Sequence, residues 1–327
     1  MQVLGVAEKV LGGAGISRDE ACEVLALADE ELPALLDEVF AVRKQYKGLK
    51  VGIQLLSSLR SGNCSQDCAY CAQAHDSTAA IEKYRLLPYE TIAAHRATVA
   101  DKKLARHCIG LSGIQFSDAE IEKVCEYVRA LKEEAPAPVC CSIGFLSRKQ
   151  AERLAAAGVD RINHNLNTSR AFYPNICTTH TYDQRIANIA MLQDVGFEIC
   201  CGGIVGLGES AADIVDMFFA IKEIQPASVP VNFLIPVQGS GLEHQNVAAL
   251  TPEYCLKVLA LARLVLPRQD IRCAAGRELY LRGRERDVFR IADSIFASGY
   301  LTAGGQGLDE TIALVKACGF EYYIENP

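Results

Sequence analysis

Short apolar runs alternate with longer stretches whose apolar residues recur every three or four positions, from about residue 45 onward. The runs Leu49–Leu56, His107–Ser112, Pro138–Ile143, Asp160–Leu166, Glu198–Val205, Ser228–Ile235, Ile271–Ala275 and Ser294–Ala297 read as strands. Between them, Asp118–Glu133, Ser147–Ala157, Tyr182–Asp194, Ser210–Lys222 and Thr251–Leu264 each carry one apolar helical face. Strand, helix and strand in repetition predict parallel pairing, because a helical crossover returns the chain to the same end of the sheet. Eight strands each followed by a helix predict an α/β fold, the (β/α)8 TIM-type barrel.

Residues 1 to about 45 lack such runs and read as a helical extension packed outside the barrel. Ser17 and Glu20 have the spacing of a capping box ahead of the amphipathic run Ala21–Leu27. After Thr302 the chain again reads as helix, with Leu308–Lys316 running toward Gly319. No repeat, low-complexity tract or long linker breaks the pattern. The expected division is therefore an N-terminal helical extension, 1–45, and one barrel, 46–327.

Composition narrows the function classes. The chain has 327 residues, half of them hydrophobic and 22% charged, enough for a sizeable core. Its net charge of −7 and the lack of a long basic run argue against a nucleic-acid footprint. No apolar stretch reaches the roughly 18 residues of a membrane helix, and the first residues lack the order of a signal peptide. A cytoplasmic protein is expected, so its fourteen cysteines read as buried small hydrophobes or metal ligands rather than disulfides. Cys22, Cys125, Cys255 and Cys318 lie in helix-like segments and suit packing, while Cys177 lies in a loop and is unassigned.

The densest chemistry is Ser61-Gly-Asn-Cys64-Ser-Gln-Asp-Cys68-Ala-Tyr-Cys71, a polar loop just after the first strand run. That order puts the loop at the mouth of the barrel, where such folds carry their chemistry. The C-x3-C-x2-C spacing differs from the paired C-x2-C ligands of structural zinc. Three ligands suit a 4Fe-4S cluster with one iron left free. Further on, Gly206-x-Gly208-x-x-Ala211 fits a dinucleotide fingerprint, but it follows the fifth strand and no clear acidic residue ends the next one.

The cysteine loop is similar to that of radical SAM enzymes, which use S-adenosylmethionine (SAM). The ordered set Asn163–Ser169, Phe172–Ile176, Thr178–Tyr182, Gly202–Glu209, Ser228–Asn232, Ala274–Glu278 and Asp293–Phe296 resembles the biotin synthase family within that superfamily. The resemblance implies that Cys64, Cys68 and Cys71 hold a 4Fe-4S cluster whose free iron chelates SAM, giving a 5′-deoxyadenosyl radical on one-electron reduction. It puts Tyr70 near the adenine and Arg185 near the methionine carboxylate. The turn at Gly206 and Gly208 lies near the nucleoside, and Asn167 at the ribose. It also implies an auxiliary 2Fe-2S cluster, the sulfur source, on Cys108, Cys140, Cys200 and Arg272. Asn165 and Asn232 would contact the ureido ring of dethiobiotin. Finally, it implies an electron donor such as flavodoxin or ferredoxin, iron–sulfur assembly proteins as partners, and a homodimer.

This sequence departs from the family pattern in three ways. Cys141, Cys201 and Cys273 each follow an auxiliary-cluster position. Strand alternation would turn them away from the lumen, whereas a bulge would let one reach the cluster and support four irons. Asn167 replaces a usual aspartate and loses a charge-assisted bond. His180 replaces a usual arginine. The expected activity is sulfur insertion between C6 and C9 of dethiobiotin, by a radical SAM sulfurtransferase. A radical SAM maturase or mutase without sulfur insertion is the same-superfamily alternative, and a non-catalytic iron–sulfur or zinc scaffold is the alternative of another class.

Overall fold

The computed structural model describes residues 5–135, 137–297 and 304–323. Its strands are β1 (Lys50–Arg60), β2 (Arg106–Leu111), β3 (Val139–Ser142), β4 (Arg161–Asn163), β5 (Glu198–Cys200), β6 (Gly203–Val205), β7 (Ser228–Phe233), β8 (Asp270–Cys273) and β9 (Ser294–Ala297). Neighbours pair in parallel around a ring that closes where Gly52 to Leu55 of β1 meet Ser294 to Ala297 of β9. β5 and β6 both pair with β7 and form two halves of one stave, so the barrel has eight staves.

The split in the fifth stave departs from the single run expected over 198–205, and Gly202 shows the cause. A Cβ there would lie 1.9 Å from the Pro230 carbonyl oxygen, so the backbone passes β7 more closely than any side chain permits. The neighbouring Gly203 is pinned against Asn167, which donates its N–H to the Gly202 carbonyl (3.1 Å) and accepts from Ile204 (2.8 Å). β4 is shorter than the run predicted, and β1 is longer, carrying the chain straight into the cysteine loop. A last strand, β10 (Glu321–Tyr323), was not expected and extends the sheet beside Lys50–Gly52.

Three helices precede the barrel: α1 (Val6–Leu11), α2 (Arg18–Leu25) and α3 (Leu32–Lys47). Ser17 caps α2 through the reciprocal bonds with Glu20 that its sequence indicated. The crossovers contain α4 (Tyr89–Asp101), α5 (Asp118–Glu134), α6 (Arg148–Ala156), α7 (Tyr182–Val195), α8 (Ala211–Ile224) and α9 (Pro252–Val265). The short α10 (Arg277–Tyr280) and α11 (Glu285–Phe289) follow β8, and α12 (Leu308–Ala317) precedes β10. Helix α4 had no marked periodicity in the sequence, and only Ile92, Arg96 and Val99 of it are buried.

The N-terminal helices fasten the barrel where it closes. Arg43 on α3 is fully buried and donates to the carbonyls of Gly48, Lys50 and Ala292, while its guanidinium lies 3.7 Å from Asp293. Arg263 on α9 donates to the same carboxylate and to the Ile291 carbonyl. Two guanidiniums share one buried carboxylate, with carbonyls accepting their remaining donors. Such a charge group is tolerable in a core because opposite charges and backbone carbonyls surround it.

Strand alternation sorts the paired cysteines. Cys141, Cys201 and Cys273 are buried in the main core between strands and helices, whereas Cys108, Cys140 and Cys200 form a separate lumenal group with Leu56 and Phe296. The β2–β3 ladder runs in register from His107–Val139 to Gly110–Ser142, so no bulge turns Cys141 inward. Cys201 comes at the end of β5, yet the alternation still directs it outward, into the helix layer. None of these three added thiols lines the lumen in this geometry, which is the arrangement that plain strand alternation gives. Cys125 and Cys255 are fully buried in the same outer core, and Cys22 and Cys318 pack against it.

Candidate active site

The lumen holds a cavity of about 270 Å³, and its lining joins the two chemical regions predicted from the sequence. Tyr70, from the cysteine loop, closes its upper part, and Asn165 and Asn232 line its middle. Cys108, Cys140, Cys200 and Arg272 line its floor. Register explains the floor, because Cys108 pairs with Cys140 across β2 and β3, while Arg272 sits between Pro230 and Ser294 on the far side.

The floor carries a buried arginine–aspartate pair. The Arg272 guanidinium donates to Ser228 Oγ (2.8 Å), Ser294 Oγ (3.2 Å) and Asp270 (3.2 Å), and Nη1 approaches Cys200 Sγ at 3.6 Å. Burial works against the Asp270 anion, but Arg272, Arg161 and the Ser228 hydroxyl outweigh it and bring its carboxyl down to about 2. The hydrogen bond from Cys140 lowers the Cys108 thiol against the effect of burial, with Arg272 and Arg106 assisting. The same bond raises Cys140, and burial raises Cys200. Among the described residues Gln54 Nε2 is buried without a partner, although Gln54 Oε1 accepts from the Cys108 thiol at 3.2 Å. A sulfur-rich, anionic group would meet this donor and the guanidinium, so the floor fits an iron–sulfur cluster. Arg272, however, is committed as a donor to Asp270 and two serines; burial works against its charge, but Cys200 and Asp270 outweigh that and leave it more firmly protonated.

At the mouth, Cys64, Cys68 and Cys71 are half-buried. Long-range backbone bonds shape their loop: Ala69 N–H to Ile176 (2.9 Å), Leu242 N–H to Ala69 (3.1 Å) and His75 N–H to Gln66 (2.7 Å). Gly62 adopts a left-handed φ of 69° beside Lys83, where a Cβ would lie 2.6 Å from that side chain. Among the described residues, the three metal-binding side chains whose ligand atoms all lie within 4.8 Å of one another are Cys68, Cys177 and His180. Cys64, Cys68 and Cys71 do not form so close a trio, and three thiols spread along one loop fit a multi-iron cluster.

The residues expected around SAM fall beside this loop. Asn167, at φ 71°, donates to the Tyr70 hydroxyl at 2.7 Å. Arg185 donates to the Tyr173 hydroxyl, the Asn165 carbonyl (3.3 Å) and His180 Nε2 (2.8 Å), and its guanidinium faces the Phe145 and Tyr173 rings. Among the described residues no carboxylate pairs with it, so it is not the surface ion pair that a helix arginine often makes. Gly206 and Gly208 have φ of 101° and 104°; their open faces are covered by Leu250 and Gln245, and neither lines the lumenal cavity. Both asparagines of the middle layer hold backbone: Asn165 accepts from Gly202 N–H (3.0 Å), and Asn232 bridges Gly203 and Ala275 (3.0 and 3.2 Å).

Two family models divide the chain: the Radical SAM superfamily over residues 59–221, and the Biotin and Thiamin Synthesis associated domain over 230–321. A biotin synthase of Salinibacter ruber is 41% identical over 319 residues, covering 98% of this chain and 88% of the relative. The chain belongs to the biotin synthase family. A biotin synthase of Geobacillus kaustophilus is 39% identical, over 97% of this chain and 95% of its own length. Membership makes the chain a radical SAM sulfurtransferase enzyme and excludes a passive metal scaffold. Solved structures bear out the fold alone. Methylornithine synthase superposes with a TM-score of 0.85 at 17% identity, covering 97% of both chains. The FeFe-hydrogenase maturase of Carboxydothermus hydrogenoformans superposes at 0.83 and 17%, over 98% of this chain and 79% of that one. No described helix is long and apolar enough to cross a membrane.

Sequence reasoning left Cys177 unassigned and treated His180 as a substitution only. The structure brings both against the cysteine loop. Cys177 Sγ lies 3.8 Å from Cys68 Sγ, 3.2 Å from Asp67 Oδ1 and 3.2 Å from His180 Nδ1. In the metal-free chain the bond from Cys68, aided by His180 and Thr179, lowers the Cys177 thiol and raises that of Cys68. The available signal was the C-x2-H interval 177–180, a common ligand spacing.

Proposed function

We propose that this chain inserts sulfur between C6 and C9 of dethiobiotin to form biotin. The observation that carries the reading is the single cavity running from Tyr70 at the cysteine loop to Cys108, Cys140, Cys200 and Arg272 at the floor. A substrate in that space would lie between Tyr70, which belongs to the cysteine loop, and the floor thiols. The bound groups would supply a hydrogen-abstracting radical from SAM on the 4Fe-4S cluster and sulfur from the auxiliary cluster.

The protein's own part is to bind, orient and exclude water. Cys64, Cys68 and Cys71 would hold the four-iron cluster. Arg185, a guanidinium without a carboxylate partner, would take the methionine carboxylate of SAM, with Tyr70, Asn167 and the turn at Gly206 and Gly208 around its nucleoside. Asn165 and Asn232 offer the donors and acceptors that a cyclic urea requires, and their backbone bonds fix them before substrate arrives. Cys108, Cys140 and Cys200, with Arg272 beside them, would hold a two-iron auxiliary cluster. The outward direction of Cys141, Cys201 and Cys273 supports that count over four irons. Leu56, Ile204, Phe233, Leu234 and Phe296 make much of the remaining wall apolar, which favours exclusion of water from around the reacting carbons. Flavodoxin or ferredoxin as electron donor, iron–sulfur assembly proteins, a homodimer and a cytoplasmic location complete the reading.

The test is anaerobic turnover with SAM, a reductant and dethiobiotin, following 5′-deoxyadenosine and biotin together. Formation of both is expected. Steady 5′-deoxyadenosine without biotin or a thiolated intermediate would overturn the reading in favour of chemistry without sulfur insertion.

A further inference from the structure

Cys68 has a second set of partners that the proposed reaction does not use. Cys177 Sγ stands 3.8 Å from it, and His180, with Nδ1 3.2 Å from Cys177 Sγ, completes a trio whose ligand atoms all lie within 4.8 Å. Two sulfurs bound at about 2.3 Å to one tetrahedral ion lie about 3.8 Å apart, so the pair already has the span of a Zn²⁺ site. Three ligands of Cys2His type leave the fourth position to water.

The trio is built, not incidental. The Asp67 carboxylate clamps the 177–180 loop onto the cysteine loop: it accepts from the N–H groups of Thr178 (3.1 Å) and Thr179 (3.2 Å) and from both hydroxyls. The His180 ring is buried and oriented from two sides. Arg185 has only donors to offer, so its bond to Nε2 makes that nitrogen the acceptor and leaves the ring proton on Nδ1, facing Gln66 Oε1 at 2.8 Å.

We propose that the cluster-free chain binds one thiophilic divalent cation of the Zn²⁺ type through Cys68, Cys177 and His180, and that this ion keeps the 4Fe-4S cluster out of the loop. Cys68 cannot ligate both. Filling Nδ1 moves the ring proton to Nε2, where it faces the Arg185 guanidinium donor to donor. Arg185 must then turn away, so the same ion also displaces the arginine proposed to anchor SAM. The metal-filled chain is thus blocked for the cluster and for its cofactor together.

The experiment uses the full chain, stripped of iron anaerobically under reducing conditions and titrated with Co²⁺ as a coloured stand-in for Zn²⁺. One Co²⁺ per chain is expected, with the absorption of a tetrahedral two-thiolate site. Cys177→Ser and His180→Arg should each weaken binding at least tenfold, Cys64→Ala should leave it unchanged, and chain already loaded with cluster should take up none. Retention that depends on Cys64 and Cys71 but not on Cys177 or His180 would overturn the proposal, and so would no retention or Co²⁺ uptake by cluster-loaded chain. Neither SAM nor dethiobiotin is present, so the result stands apart from the test of the reaction.

Discussion

Cys64, Cys68 and Cys71 are half-buried on a loop, whereas Cys108, Cys140 and Cys200 are buried on three strands. The loop thiols owe their positions to loop–loop bonds, such as those of Asp67 to Thr178 and Thr179, which can open without disturbing the barrel. The lumenal thiols owe theirs to ladder register, so moving one means moving a strand. Charge follows the same division. Arg272 and Asp270 are a fully enclosed pair beside the floor sulfurs, while Arg185 at the mouth has no carboxylate partner among the described residues. One site is made to exchange ligands, and the other is part of the fold. In the proposed reaction they correspond to the site that binds fresh SAM each turnover and the site that stores sulfur.

The largest expected effect separates the two sites by function. Cys68→Ala should abolish SAM cleavage, while Cys140→Ala should keep cleavage within about tenfold of the parent and abolish biotin formation; chromatography of 5′-deoxyadenosine and biotin reads both. Equal loss of cleavage would erase the division. A second prediction separates them by stability. Arg272→Met leaves Asp270 buried and unpaired and should cost about 3–5 kcal/mol in urea unfolding of the metal-free chain. Arg185→Met breaks no ion pair among the described residues and should cost less, about 1–3 kcal/mol for the hydrogen bonds lost by Tyr173 and His180, yet should raise the Kd for SAM about tenfold through the lost charge-assisted bond.

A smaller effect tests the outward cysteines. Cys201→Ser places a hydroxyl in the helix layer and should destabilise the chain by about 1–3 kcal/mol. Iron analysis of reconstituted protein should still give one four-iron and one two-iron cluster. Iron lost in proportion to a second four-iron cluster would reinstate the outward thiols as ligands. The smallest effect is a gain. Asn167→Asp should tighten SAM binding about fivefold, roughly 1 kcal/mol, because a carboxylate accepts more strongly than an amide; equilibrium dialysis with the cluster-loaded protein measures it.

The eight staves were legible because each is an apolar run too short for a helix, separated from the next by a clear crossover. So was the lumenal thiol set, through strand alternation and the likeness to a known family. The break in the fifth stave was not, since Glu198–Val205 reads as one uninterrupted run. Only the distance of Gly202 from Pro230, on a strand about 30 residues later, reveals the pinch. β10 was hidden for the same reason, because Glu321 to Tyr323 become a strand only beside Lys50 to Gly52. Local sequence also gave no hint that Cys177 faces Cys68, as the contact joins two loops 109 positions apart. Properties of a single segment could be read directly, whereas those created by two distant segments needed the folded chain.

The closure of β1 on β9 sets an order of events during synthesis. A nascent chain that has emerged only as far as Ala292 already contains every thiol of both sets, yet it lacks the strand that pairs with Gly52 to Leu55. Until that last stave docks, the future floor is an open trough, and afterwards it lies enclosed in the lumen, with Tyr70 of the cysteine loop on the wall of the same cavity. Whatever delivers iron and sulfide to the floor therefore meets a wide entrance before the ring shuts and a narrow one for the rest of the protein's life.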